Sequence, residues 1–342
     1  MSMVIGWDVG GAHLKAARAE HGRVVDAVQV PSPLRLGLAR LKQSFAEAKA
    51  AIGSAPRHVV TMTGELADTF TSRAEGVESL SRAAADELAP GEVLLYAGRA
   101  GFIAPELAAR HVEDVASANW HASAALVGRR LGTALFMDMG STTTDIVPVV
   151  SGKVAARGYT DAERLATGEL VYTGLVRSFL MATRDRAPFA GAWTGLIAEN
   201  FANMADVHRI LGTLPDGADQ MGTADGREKT VAASRARLAR MVGRDAADAS
   251  EAEWTLLARS FAETQIRMVT DGALLVLSQG TLPANAPVVS AGIGDRVLRE
   301  AAHRLERRHV PFESLLEVAP AARERVSQCA PAAALAAMAA LP

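Results

Sequence analysis

One cysteine, Cys329, is all the thiol in this 342-residue chain. A lone Cys excludes an internal disulfide and suits a reducing compartment. Close to the C-terminus it reads as a small buried hydrophobe. A surplus of charge is also missing: the formal net charge is −2, which excludes general nucleic-acid binding. No window holds the roughly 20 uninterrupted apolar residues of a membrane span. The Ala-rich tail Ala332–Leu341 is too short for that and reads as a packed terminal helix, with Pro331 suited to its first turn. The chain starts without a basic region followed by an apolar stretch, so no secretory signal is expected, and the expected location is cytoplasmic. The eight His are scattered, without a paired spacing such as HExxH, so no transition-metal cluster stands out.

What the chain does have is apolar material. At 49 % apolar residues it can fill two cores, and its length suits two domains. Two aspartate-glycine turns stand out, far apart. The first is Val4-Ile5-Gly6-Trp7-Asp8-Val9-Gly10-Gly11-Ala12-His13-Leu14-Lys15. The second is Leu135-Phe136-Met137-Asp138-Met139-Gly140-Ser141-Thr142-Thr143-Thr144-Asp145-Ile146-Val147. Each reads as strand, tight turn, strand, with an Asp ending the first strand. Glycine lets the backbone turn and leaves room for a ligand beside the main chain. Bare N–H groups in such a turn form an anion-binding nest. An Asp beside it can hold Mg²⁺, directly or through water. Two such turns facing each other would clamp one polyphosphate.

The order of elements points the same way. Met3–Val9, Leu14–Ala19 and Arg23–Val30 read as three antiparallel strands, followed by a helix over Leu34–Ile52. A strand over His58–Met62, a helical start at Glu65–Phe70, a helix over Val77–Leu88 and a strand over Glu92–Ala97 come next. After a helix at Ala116–Arg129 the pattern restarts. Thr133–Met139, Thr143–Val150 and Lys153–Tyr159 read as strands, and Ala166–Phe179 as helix. This repeated β-β-β-α-β-α order implies two α/β halves, each a mixed sheet with helices on its faces. The expected division is 1–131, 132–320 with an insertion near 181–250, and a terminal helix over 321–342 that packs back on the first half. The insertion is expected to be irregular, apart from a helical piece at Phe201–Leu211 and a basic helix at Arg227–Val242. A long amphipathic helix follows at Ala252–Leu277. Pro287–Ala291 then runs as a strand into Gly292-Ile293-Gly294-Asp295 and a helix, a third candidate phosphate element.

The paired turns and the late Gly292, Gly294 and Asp295 resemble the signature of the actin-like, sugar-kinase and Hsp70 ATPase fold, which is ribonuclease H-like in each half. On that reading Asp8 and Asp138 are the Mg²⁺ ligands. Gly10, Gly11, His13, Gly140, Ser141, Thr142 and Thr143 surround the phosphates. Lys15 shares a face with His13, and is either a phosphate contact or an edge-strand charge. Asp145 is either a second Mg²⁺ ligand, a base or a turn cap. Gly168 and Glu169 open the element after the second set of strands, where Glu169 is either catalytic or a capping residue. Trp120 reads as packing or as a stacking wall. Arg227 reads as an anion grip or a solvated loop residue.

Longer stretches carry a closer likeness: GWDVGGAHLKAA, TMTGELADTF, ANWHASA, MDMGSTTTDIVPV, ATGELVYTGLVR, ENFANMADVHRILG and TADGREKT. With these the chain resembles the hydantoinase/oxoprolinase-like branch, and within it the group linked to tetrahydromethanopterin one-carbon transfer. The likeness runs from Met3 to about Leu298. Many relatives in the wider superfamily have Thr or Asn where this chain has His13.

The resemblance implies a transferase of methanofuran-type cofactor biosynthesis. It would condense an aminomethyl-furanmethanol diphosphate with γ-glutamyltyramine to an aryl ether and pyrophosphate. Mg²⁺ would be needed, but no nucleotide. His13, His121 and Glu169 are then candidates for the base that takes the phenol proton, and the insertion is expected to cover the site. The alternatives are an ATP-dependent kinase or amidohydrolase of the same fold, which would need ATP, and a nucleotide-sensing assembly protein. The expected partners are small molecules, with no nucleic acid and no membrane. The oligomeric state is open, a homodimer being one alternative.

Overall fold

A computed structural model describes residues 3–340. In chain order the elements begin with β1 (Met3–Val9), β2 (His13–Glu20), β3 (Arg23–Pro31), α1 (Leu38–Ile52), β4 (Arg57–Met62) and α2 (Arg73–Leu88). Then come β5 (Glu92–Tyr96), β6 (Phe102–Ile103), α3 (Val112–Val115), α4 (Asn119–Leu131), β7 (Ala134–Met139), β8 (Thr144–Val150) and β9 (Lys153–Val154). Next are α5 (Asp161–Thr167), β10 (Leu170–Val171), β11 (Arg186–Phe189), β12 (Ala192–Gly195), α6 (Met204–Ile210) and α7 (Val231–Met241). The chain closes with α8 (Glu251–Leu277), β13 (Val288–Gly292), α9 (Asp295–Arg304), β14 (His309–Pro311), α10 (Arg323–Val326) and α11 (Ala330–Ala339).

The first sheet has the order β3-β2-β1-β4-β5-β6, and the second β10-β8-β7-β13-β14 with β9 also on β8. In each, two strands joined by a tight turn (β1–β2, β7–β8) sit beside a strand that arrives later in the chain (β4, β13). One further strand follows (β5, β14). The same mixed α/β order occurs twice, which is the actin-like/sugar-kinase/Hsp70 fold. None of the described helices is long and apolar enough to cross a membrane.

The chain divides into two compact units. The first comprises Met1–Phe136, Val147–Ala162 and Val310–Pro342, and the second Met137–Ile146 and Glu163–His309. In the first, β1 runs antiparallel to β2 and parallel to β4, with Asp8 opposite Lys15 on one side and Thr61 on the other. Its core gathers Ile5, Trp7, Val9, Phe45, Met62 and Leu80 from the sheet and from α1 and α2. The Ala-rich α11 is buried along nearly its whole length and packs against β1, β2 and α4. A helix apolar all round belongs in a core. Leu341, the end of the expected terminal helix, lies outside the described residues.

Gly6 permits that docking, because a Cβ there would stand 2.0 Å from Ala332 O and 2.8 Å from Ala336 N. Backbone atoms cannot yield as a flexible side chain does. Gly6→Ala is therefore expected to destabilise the protein by about 3 kcal/mol or more, beyond ordinary overpacking. Chemical denaturation checks this, and an unchanged midpoint would show that α11 does not rest on β1.

Trp7 Nε1 donates to His58 Nδ1 at 3.1 Å in the same core. Burial, with Lys49 adding to it, lowers the His58 pKa from 6.5 to about 4. Below pH 6.5 the unfolded chain binds a proton at His58 that the folded chain refuses until about pH 4. Stability should thus fall as pH drops through this window, by about 3 kcal/mol from this group. His58→Asn keeps an acceptor near Trp7 and has no proton to bind. Its stability is expected to fall less between these pH values, and identical pH profiles for the two proteins would exclude His58 as the cause.

The structure corrects three expectations and refines a fourth. The expected helix Ala166–Phe179 ends at Thr167. Gly168 has φ +76°, and a Cβ there would lie 2.9 Å from the Leu275 side chain. Leu170 and Val171 then pair with Asp145 and Thr144 of β8. The expected strand Lys153–Tyr159, in the first unit, is only β9, on Val149 and Val150 at the other end of β8. Two short strands thus share the edge that one long strand was expected to fill. No helix starts at Glu65: 65–70 forms successive turns, and Thr69 gives its hydroxyl to Leu34 O at 2.6 Å.

The insertion near 181–250 is also more ordered than its composition suggests. It builds a small core of Leu180, Phe189, Met204, Leu238, Met241 and Trp254. Beneath α7 a buried ion network holds it together. Arg237 pairs with Asp206 at 2.7 Å and Asp225 at 3.1 Å, while Arg209 bonds both Asp206 and Asp219. The ADVHRILG and TADGR stretches meet in this network.

Candidate functional site

Each unit carries one Asp-Gly turn, and the two are closed by equivalent hydrogen bonds. Gly10 N–H donates to His13 O at 2.9 Å, and Gly140 N–H to Thr143 O at 3.0 Å. Each bond joins positions two and five after the Asp. The carbonyl next to the Asp anchors the loop that follows the neighbouring strand. Val9 O accepts from Thr63 and Gly64 N–H at 3.0 Å, and Met139 O accepts from Gly294 N–H at 3.1 Å. The carbonyls inside each turn are taken as well. Leu34 and Ser32 donate to Gly11 O and Ala12 O, and Leu175, Val176 and Arg177 to Gly140 O and Ser141 O. Among the described residues no acceptor pairs with the N–H groups of Ser141, Thr142 or Thr143. With its carbonyls spent on the scaffold, such a turn offers donors, the arrangement of an anion nest.

In the first unit Asp8 is buried, with Lys15 Nζ 4.0 Å from its Oδ2. Thr61, opposite Asp8 in register, has a buried hydroxyl with no hydrogen-bond partner among the described residues. His13 is buried at the start of β2. In the second unit Asp138 lies against Gly292, where a Cβ would stand 2.4 Å from Asp138 Oδ1 and 2.3 Å from Met139 O. Gly174 packs as tightly on Thr142 N. The structure thus brings Asp138, Gly140, Ser141–Thr143, Gly292 and Gly294 into one constellation.

The other expected residues have partners of their own. Arg164, itself buried, pairs with Asp145 Oδ1 at 2.9 Å and donates to the Glu169 carbonyl at 2.9 Å. Gly168 packs on α8. Asp295 accepts from Ser290 and Arg299 at the start of α9. In the first unit Trp120 packs edge-on to His121 and Tyr159, and His121 Nδ1 meets the Tyr96 hydroxyl at 2.8 Å. Arg227 holds its turn through backbone bonds, and it is Arg237 that pairs with Asp225.

Sequence reading passed over two groups. Glu65 is fully buried in the first unit, and burial raises its pKa. Its Oε1 accepts from Ser117 at 2.6 Å, and its Oε2 has no hydrogen-bond partner among the described residues. A carboxyl held toward its protonated form can give or take a proton, which makes Glu65 a candidate functional group. Its signal was the Thr-Gly-Glu step straight after a strand. The second is a buried relay in unit two. Gln265 donates to Thr173 Oγ1 at 3.0 Å and Gly174 O at 2.9 Å, so its Oε1 accepts from His208 Nε2 at 2.9 Å. His208 Nδ1 then accepts from Thr213 Oγ1 at 2.8 Å. Burial lowers the His208 pKa, which favours this neutral form. Thr144 donates to Thr173 O at 2.7 Å and completes the link to the hydroxyl turn.

Known proteins resemble this chain to different degrees. The nucleotide-free structure of acetone carboxylase superposes with a TM-score of 0.57 at 13 % identity, covering 98 % of this chain and 70 % of that one. That likeness carries the fold alone. The (4-{4-[2-(gamma-L-glutamylamino)ethyl]phenoxymethyl}furan-2-yl)methanamine synthase of Methanocaldococcus jannaschii is 27 % identical over 300 residues, 87 % of this chain and 88 % of that protein. The synthase of the same name from Methanococcus vannielii is 30 % identical over 173 residues, 51 % of this chain and 76 % of that protein. The hydantoinase/oxoprolinase family model matches residues 57–337, most of the chain, and the chain belongs to the hydantoinase/oxoprolinase family.

Proposed function

We propose that the chain is a transferase of methanofuran-type cofactor biosynthesis. It joins an aminomethyl-furanmethanol diphosphate to γ-glutamyltyramine as an aryl ether and releases pyrophosphate. The observation that carries this reading is the match to the M. jannaschii synthase over 88 % of that protein's length. The donor-lined turns support it, since a diphosphate is the anion such nests accept.

In the reaction the bond between the exocyclic carbon and the diphosphate oxygen breaks, and its electron pair leaves with pyrophosphate. The furan ring shares the positive charge on that carbon. The phenol oxygen forms the new C–O bond and loses its proton. The N–H groups of Ser141, Thr142 and Thr143 stabilise the charge that develops on the departing group. A phenol with a pKa of about 10 needs a proton acceptor, for which His13, His121 and Glu169 are the candidates. Of these, His121 already shares a hydrogen bond with the Tyr96 phenol.

Magnesium fits the turns. Asp8 in the first unit and Asp138 in the second are each a carboxylate that would hold it, because Mg²⁺ on a diphosphate takes one or two carboxylates plus substrate oxygens and water. A Cβ at Gly292 would stand 2.4 Å from Asp138 Oδ1, so the glycine leaves room beside that oxygen. The ion supplies positive charge to the leaving diphosphate.

A second reading, an ATP-dependent kinase or amidohydrolase, draws on the family name itself. Oxygen labelling separates the chemistries. With ¹⁸O in the acceptor's phenol, the label is expected in the ether product. Label found in phosphate or pyrophosphate, or an unlabelled ether, would contradict attack by the phenol oxygen.

A further inference from the structure

The second unit contains a cavity of about 1240 Å³ that the turns alone do not explain. It lies among α8, α9 and the loop after α6. We infer that this cavity binds the γ-glutamyl end of the acceptor, with the glutamyl carboxylate held by Arg259 and Arg296. The inference rests on the proposed transferase reading for the identity of the ligand.

Three observations carry it. The first is position. Leu175 and Gly294 line the cavity, and both donate backbone N–H groups to the Asp138 turn, to Gly140 O and Met139 O. A molecule in the cavity therefore lies directly behind the hydroxyl turn. The second is wall chemistry. Leu211, Leu214, Pro215 and Ile266 provide an apolar middle for a linker, and Thr213 and His208 are fixed there through Gln265.

The third observation is charge. The acids that line the cavity are already satisfied: Glu263 and Glu300 by Arg304, and Asp295 by Arg299. Arg259 and Arg296 also line it, and among the described residues neither has an ion-pair partner. Two guanidinium groups without an acidic partner select an anion, and their planar fork matches a carboxylate or a phosphate. Arg259 lies six residues before Gln265 on α8, about 9 Å along the helix. This spacing puts Arg259 away from the turn, as a carboxylate at the far end of the acceptor requires, while Arg296, two residues after Gly294, stands nearer the turn. The furan substrate carries its negative charge on the diphosphate, which the proposed reaction places at the hydroxyl turn, so the glutamyl carboxylate is the anion left for the cavity.

Calorimetry with γ-glutamyltyramine and with plain tyramine tests the assignment without turnover. Wild type is expected to bind γ-glutamyltyramine at least 10-fold more tightly than tyramine. The exposed-residue variant Arg259→Ala/Arg296→Ala should lose that preference, while Arg259→Lys/Arg296→Lys should keep part of it. The KM for the furan diphosphate should not change in either variant. Equal affinity in wild type and the Ala variant would overturn the inference, as would failure of wild type to bind γ-glutamyltyramine. If wild type binds the acceptor with the expected preference but forms no ether, the transferase reading fails and the cavity assignment stands. If ether forms and the Ala variant binds normally, the reverse holds.

Discussion

Asp138→Asn is expected to lower kcat by about three orders of magnitude, the scale on which removing preorganised electrostatic stabilisation acts. The same is expected of Asp8→Asn. Each change keeps the size of the side chain and removes its charge. A neutral amide is a poor partner for Mg²⁺, so the diphosphate would leave without compensation. The fold should survive, since Asp138 lies against the glycine of a loop and not in an apolar layer. Asp8 is more deeply set, at 3 % exposure with Lys15 beside it. Its variant therefore needs a thermal melt alongside the rate. Two well-folded variants with near-normal kcat would defeat the assignment of these aspartates.

Gly292→Ala should have the second large effect, on both activity and stability. The residue has φ +88°, which L side chains rarely adopt. A Cβ would also press on Met139 O at 2.3 Å and Asp138 Oδ1 at 2.4 Å. Either the loop after β13 retreats or the Asp138 carboxylate turns away. A loss of about 3 kcal/mol in stability is expected from strain and overlap together. The activity of the folded fraction should fall with Asp138 displaced. Gly11 provides the comparison. A Cβ there meets nothing within 4 Å, so Gly11→Ala should melt close to wild type. Equal melting of all three proteins would show that the contact between Gly292 and Asp138 is looser than these distances imply.

The two turns were legible because their residues act locally. Gly10 and Gly140 close the hairpins whatever surrounds them, and the flanking runs Val4–Val9 and Leu135–Met139 can form only strands in a buried sheet. The repeated order of elements followed from the same local signals. Where tertiary contacts decide, the sequence misled. Ala166–Phe179 has helical spacing, but Gly168 must fit against Leu275, and that contact ends the helix. The edge of β8 is shared by β9 and β10, a division that no periodicity announces. The insertion looked irregular because its order comes from buried ion pairs such as Asp206–Arg237, with 31 positions between partners. Glu65 and the His208–Gln265 relay stayed hidden for the same reason. Ser117 lies 52 positions from Glu65, and Gln265 lies 57 from His208. The cavity was illegible for a simpler reason: unpaired arginines become visible only when every neighbouring acid has been assigned a partner.

The most direct test is pyrophosphate release by the purified protein with Mg²⁺, the aminomethyl-furanmethanol diphosphate and γ-glutamyltyramine, without nucleotide. The transferase account predicts release that depends on the acceptor and matches, mole for mole, an ether product seen by mass spectrometry. No release under these conditions, with ATP hydrolysed in a parallel reaction lacking the furan diphosphate, would contradict it.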